Sequence, residues 1–336
     1  MPTLARIDQV DLLQHVIVKA VPGQLLFEDD TDRTLLLAKL GPLLRRTGTH
    51  CLAWTLAADH FHLLVRPSTQ RLANLMLPLL VGYARAFNRR HGRRGRLYHG
   101  RYRSVVCDEE ILFKEMVRYL HLHPLRCGEV ANLKELESYP WCGHGVLLGL
   151  REQEGQSAAE VLHCFGRKTE RCRLAYRRFV KAGAGQGTRW ELAGGGKRRV
   201  LRLGVDPQPT LWDGRVLGSS SFVQEVAEGQ TCRAPVRGRS HHIYSAVRPE
   251  VIPVPELVEK VAEAVGLSGE EVRRRSRVPE VARARSAVCY LAYIRNVHPG
   301  KVVGAELGIA PSTVCASARA GERICRTDYR LIPLLG

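Results

Sequence analysis

The stretch "CLAWTLAADHFHLLVRPS" (51–68) constrains this chain most. It holds two apolar runs, about 50–57 and 60–66, that suit pleated strands and are parted by only two residues. Side chains on a strand alternate between faces, so His60 and His62 project together while Phe61 and Leu63 point the other way. Two imidazoles on one face either hold a metal or simply line a solvated strand, and the fragment alone leaves both open. The flanking sequence alternates strand and helix. "HVIVKAV" (15–21) reads as a strand. Residues 29–48 read as a helix, with acids at the start and Arg-Arg-x-Gly at the end. A helix over 71–92 has Pro78 as a kink point, a strand follows at about 97–106, and a helix over about 108–122 is ended by Pro124. Interleaved elements of this kind make an α+β sandwich with helices covering one face of the sheet.

Charge narrows the partners. The 336 residues carry 51 Lys+Arg against 33 Asp+Glu, a formal charge of +18, and the isoelectric point is near 9.9. An Arg-dominated excess favours a polyanion, most simply nucleic acid, because guanidinium matches phosphate through a bidentate fork. The basic residues are spread along the chain and form no membrane anchor. The ten cysteines include no C-x-x-C pair, so neither a zinc ribbon nor a redox dithiol is indicated. With no secretory signal at the N-terminus and no membrane-spanning run, the expected location is the cytoplasm, with no membrane partner.

Beyond residue 150, "EVLHCFGRKTERCRLAYRRFVKAG" (160–183) reads as one or two basic amphipathic helices. The glycine-rich "AGAGQG" and "AGGGKRR" read as loops or a linker. The last third is helical, with two short helices around Gly266 and a longer one over 280–297. "KVVGAELGIAPSTVCASARAGERI" (301–324) then forms a helix, a tight turn and a second helix opening at Pro311. That layout is either a helix-turn-helix or a plain helical hairpin, and the basic charge favours the DNA-binding form.

A metal held by two histidines needs a third ligand and open positions. In "VRYLHLHP" (117–124), Tyr119 and His123 are four apart and share a helical face. A tyrosine one turn from a third ligand is what metal-assisted attack on phosphorus needs. His123 is equally readable as a helix-end histidine favoured by the dipole. Tyr102, between Arg101 and Arg103, is the rival nucleophile but suits stacking and phosphate contact better. Tyr83 and Tyr98 have no basic or metal partner nearby in sequence, and His15 and His121 are expected to be structural. "NRRHGRRGRLYHGRYR" (88–103) packs seven arginines into sixteen residues with tyrosines interleaved. It reads as a loop that guides DNA, through Arg89, Arg90, Arg93, Arg94, Arg96, Arg101, Tyr102 and Arg103.

"ADHFHLL", "GRYRSVV", "VRYLHLHPLRCGEV" and "YPWCGH" resemble, in order, motifs of the single-tyrosine HUH transposases, in particular the REP-associated tyrosine transposases. The resemblance covers about residues 5–150. It implies a ferredoxin-like antiparallel sheet with helices on one face, and metal-dependent nicking and joining of single-stranded DNA at hairpin-flanked sites. It makes His60 and His62 the metal pair and Tyr119 the nucleophile that forms a 5′-phosphotyrosine. Two positions depart from the pattern: Asp59 stands where relatives commonly have Asn, and His123 where they carry an amide. With His123 as third ligand, a Mg²⁺ or Mn²⁺ cofactor is expected, and nitrogen ligation shifts the preference towards Mn²⁺. Ligation needs neutral imidazole, so activity is expected to fall through pH of about 6.5.

"RARSAVCYLAYIRN" and "VGAELGIAPSTVCASARAG" resemble the DNA-binding domain of the replication initiator DnaA. That resemblance implies duplex recognition, with Ser312, Thr313 and Arg319 on the recognition helix. The expected organisation is therefore a nuclease domain (1–150), a basic helical and linker region (151–250) and a helix-turn-helix domain (251–336), acting as a monomer on hairpin-bearing single strands and on duplex DNA. The competing reading is a transposase-derived DNA-binding regulator without catalysis, sustained by the departures at 59 and 123. An RNA-binding sheet is disfavoured because the paired sheet aromatics are missing.

Overall fold

The two apolar runs of 51–68 are adjacent antiparallel strands in the computed structural model, which describes residues 6–229, 252–276, 278–296 and 298–335. The chain divides into two compact units. The first holds 6–197 and 209–229 of the described residues, and the second holds 198–208 and the described residues from 252 on. The expected linker region therefore contributes to both units, and residues 230–251 lie outside the described residues.

The first unit begins β1 (Gln14–Lys19), α1 (Asp30–Thr47), β2 (Thr49–Leu56), β3 (His60–Pro67), α2 (Leu72–Arg90), β4 (Arg103–Cys107) and α3 (Glu109–His121). Helix α1 has well-marked ends. The Asp29 side chain accepts from the Thr31 and Asp32 N–H groups, Arg45 and Arg46 occupy the last turn, and Gly48 closes it at φ 60°. Helix α2 runs through Pro78. Short helices α4 (His123–Arg126), α5 (Leu133–Ser138), α6 (His144–Leu147) and α7 (Ala158–His163) follow, then α8 (Thr169–Gly183); α9 (Lys197–Leu203) belongs, but for its first residue, to the second unit, and the chain returns to the first with β5 (Val216–Leu217) and α10 (Ser220–Ala227). Residues 160–183 are thus mostly two helices. Pro124 sits in the first turn of α4, where its missing N–H costs nothing, so the helical path continues past it.

The sheet order is β2-β3-β1-β4-β5. The first four strands pair antiparallel, whereas β5 lies parallel to β4, which makes the sheet mixed rather than wholly antiparallel. Strand β4 starts only at Arg103, because Gly100 adopts a left-handed φ of 73° in the segment expected to begin it. One face packs Val16, Val18, Trp54, Phe61, Leu63 and Val65 against the leucines of α1 and α2 in a single core. The expectation of helices on one face only is corrected by α3. The opposite face carries Ile17, Leu64 and Val105 among its histidines, and these apolar side chains also need cover. Helix α3, which buries Leu112, Phe113, Met116 and Leu120, packs there on β2 and β3.

The second unit contains α11 (Val254–Val265), α12 (Gly269–Arg273), α13 (Pro279–Tyr290), α14 (Gly300–Leu307) and α15 (Pro311–Thr327). Gly266, at φ 75°, ends α11, and a Ser268–Glu271 capping box starts α12. A π-helical turn, Leu291–Arg295, prolongs α13. Gly308 closes α14 before α15 opens at Pro311. Helices α13 and α15 cross so closely that a Cβ on Gly321 would lie 1.9 Å from the Ser286 carbonyl oxygen. Among the described residues no helix is long and apolar enough to cross a membrane.

Candidate active site

Register and helical spacing together assemble a histidine cluster. His60 and His62 stand on the α3 face of β3, and β1 lies beside them with Lys19 opposite His60 and Ile17 opposite His62. Tyr119 in the last turn of α3 and His123 at the start of α4 come over the same face. His123 Nε2 lies 2.7 Å from His60 Nε2, and the His62 and His123 ring centroids are 4.7 Å apart. His60, His62 and His123 each offer one ring nitrogen within 4.8 Å of the other two. The Tyr119 ring stands edge-on to His62, with 6.5 Å between centroids.

The surroundings leave donor atoms pointing inward. Asp59 Oδ1 lies 2.6 Å from His60 Nδ1, so a carboxylate orients that ring and leaves Nε2 to the cluster. His62 is 5 % exposed, and its Nε2 is buried without a hydrogen-bond partner. A buried imidazole nitrogen with no protein partner, inside a ring of imidazoles, is what a bound cation would satisfy. Burial, reinforced by the neighbouring His60, Arg126 and His15, holds His123 down to about 3, and burial likewise holds His62 well below the ordinary 6.5. Burial therefore favours the neutral form of both rings, the form that can offer a lone pair to a cation. A donor set of three imidazole nitrogens fits a divalent first-row cation better than Mg²⁺.

Arg126 completes the surroundings of the tyrosine. Its guanidinium carbon lies 4.5 Å from the Tyr119 ring centroid, and it donates to the Tyr119 carbonyl. His121, between Tyr119 and His123 in sequence, does not join the cluster. Its Nδ1 lies 2.8 Å from the hydroxyl of buried Tyr176, which is also 2.6 Å from His144 Nδ1. The residues that sequence reasoning passed over are His15, Asp59 as a hydrogen-bond partner, and Arg126. Only Asp59 had a signal, its adjacency to the histidine pair.

The arginine-rich segment divides. Arg89, Arg94, Arg96, Arg101 and Arg103 are exposed. Arg90 is instead held by Asp29 and by Asp32 at 2.7 Å, and Arg93 donates to Gln24 at 2.6 Å. The Tyr102 ring is covered by Arg6, whose guanidinium carbon lies 3.9 Å from the ring centroid. Arg103 has a particular place: register sets it opposite Ile17, which is opposite His62, so the three form one row across β4, β1 and β3. In the second unit, Ser312, Thr313 and Arg319 are exposed on α15.

No protein-family model matches the chain, and no curated protein matches it. A solved structure described as "Structure of the REP associates tyrosine transposase bound to a REP hairpin" matches 46% of this chain and 90% of its own, at 15% identity and a TM-score of 0.36. A likeness of that degree carries no argument about function.

Proposed function

We propose that the chain nicks and rejoins single-stranded DNA at hairpin-flanked sites through a covalent 5′-phosphotyrosine on Tyr119. The observation that carries this reading is Tyr119 standing edge-on to His62, beside the three histidines whose nitrogens converge. The order β-α-β-β-α-β, with β1 between β3 and β4, supports a ferredoxin-like arrangement in this unit. The four motifs that resemble single-tyrosine HUH transposases fall on β3, β4, α3–α4 and the segment before α6.

His60, His62 and His123 would hold the divalent cation, which when bound supplies a positive charge to the scissile phosphate. The Tyr119 oxygen attacks phosphorus in line. A new Tyr119–phosphorus bond forms, the bond from phosphorus to the 3′ oxygen breaks, and the 3′ end leaves as a hydroxyl. The Arg126 guanidinium over the Tyr119 ring stabilises the negative charge of the phenolate. Arg103, in the row with His62, would hold the strand beside the site, and the other exposed arginines of 88–103 would extend that contact. The α14–α15 pair supports duplex recognition as a helix-turn-helix through Ser312, Thr313 and Arg319. The departures that sustained a catalytically inactive regulator both have places in the cluster: Asp59 orients His60, and His123 offers the third nitrogen.

A hairpin-bearing oligonucleotide with Mn²⁺ or Mg²⁺ tests the reading by yielding a denaturant-resistant protein–DNA adduct. Tyr119→Phe should abolish the adduct and leave hairpin binding within about twofold, because only the nucleophilic oxygen is lost. Adduct formation that survives in Tyr119→Phe and disappears in Tyr102→Phe would move the nucleophile to β4.

A further inference from the structure

His15 lies on β1, is fully buried, and stacks on His62 with ring centroids 5.1 Å apart and planes at 20°. Its Nε2 is 2.9 Å from His62 Nδ1. It also meets Tyr119, edge-on at 5.9 Å between centroids, and the Leu192 backbone. We infer that His15 is the positioning residue of the site: by accepting a hydrogen bond from His62 Nδ1–H, it keeps the lone pair of His62 Nε2 directed at the metal.

The inference rests on the metal-binding reading of the cluster and follows from counting protons. A hydrogen bond between two ring nitrogens contains one proton, and two neutral imidazoles can share it in two ways. If His15 Nε2–H donates, His62 accepts at Nδ1 and must carry its own proton on Nε2, which then cannot ligate. If His62 Nδ1–H donates, His15 accepts at Nε2 and His62 Nε2 presents a lone pair. Nε2 is the atom of His62 that is buried with no protein partner, so it is the atom left for a cation. Metal binding thus requires His15 as the acceptor, with its own proton on Nδ1. His60 has the equivalent support from Asp59, so both strand ligands are oriented at Nδ1 by a neighbour.

The test is Mn²⁺ binding to the full-length protein without DNA, measured by isothermal titration calorimetry beside the melting temperature. His15→Phe keeps a buried ring against His62 and Tyr119 but removes the acceptor. His15→Gln removes the ring but can place an amide oxygen near the position of Nε2. The expected result is a loss of about 10–100-fold in Mn²⁺ affinity for His15→Phe and recovery of most of it in His15→Gln. A purely structural role predicts the reverse order, since Phe repacks the core better than Gln. Equal affinity in both variants and the wild type, or weaker binding in Gln than in Phe, would overturn the role of His15 while leaving the metal site standing. A wild type that does not bind Mn²⁺ would overturn both.

Discussion

Replacing Tyr176 with Phe should cost far more than the loss of one oxygen implies. Tyr176 is fully buried on α8, and its hydroxyl lies 2.8 Å from His121 Nδ1 and 2.6 Å from His144 Nδ1. A phenol has one proton, so it donates to one imidazole and accepts from the other, which fixes opposite tautomers on the two rings. Phenylalanine fills the same space but strands two ring nitrogens in a dry interior. At about 1–3 kcal/mol for each of the two unsatisfied groups, the local loss is about 2–6 kcal/mol. His121 is in the last turn of α3 between Tyr119 and His123, so this loss falls on the segment that carries the nucleophile and the third ligand. Hydrogen–deuterium exchange on peptides spanning 109–126 and 169–183 reads the effect directly. Protection there should drop by more than tenfold, since about 1.4 kcal/mol corresponds to each tenfold. Protection unchanged within about threefold would show that the hydroxyl is not what ties α3 to α8.

Metal-free protein should lose stability in mild acid, before most carboxylates titrate. Burial holds His15 and His123 down to about 3 and His144 to about 4, so the unfolded chain takes up protons below 6.5 while the folded chain does not. The stabilisation is complete above about 6.5 and fades as pH falls towards 3–4. Buried His15 and His144 each contribute at most about 2 kcal/mol of loss by pH 5. A melting temperature that stays flat between pH 7 and pH 5 would contradict this. Gly321→Ala should force α13 and α15 apart, because the new Cβ would meet the Ser286 carbonyl. Exchange over 279–327 should rise sharply while adduct formation on a short hairpin is retained; normal protection there would refute the close approach.

Much of the site was legible because its logic is local. The two-residue period of a strand puts His60 and His62 on one face, and the helical i to i+4 relation puts Tyr119 over the same turn as His123. Asp29, the terminal arginines and Gly48 mark the ends of α1 within a few residues of chain, which is why its limits could be read so closely. The short strands, the turn at Gly308 and the opening of α15 at Pro311 follow from the same near-neighbour chemistry.

What could not be read depends on which strand lies beside which. His15 and His62 are 47 residues apart and meet only through the β1–β3 register, which also aligns Arg103 with His62 through Ile17. Charge is equally non-local: seven arginines in sixteen residues look alike in sequence, yet Arg90 is committed to acids 58 and 61 residues away on and beside α1, while Arg103 stays exposed in the row that leads to the histidines. Sequence therefore determined which side chains share a local face, because backbone periodicity sets that. Tertiary structure alone decided which faces meet, because strand register and desolvation, not proximity along the chain, choose the partners of a buried imidazole or a guanidinium.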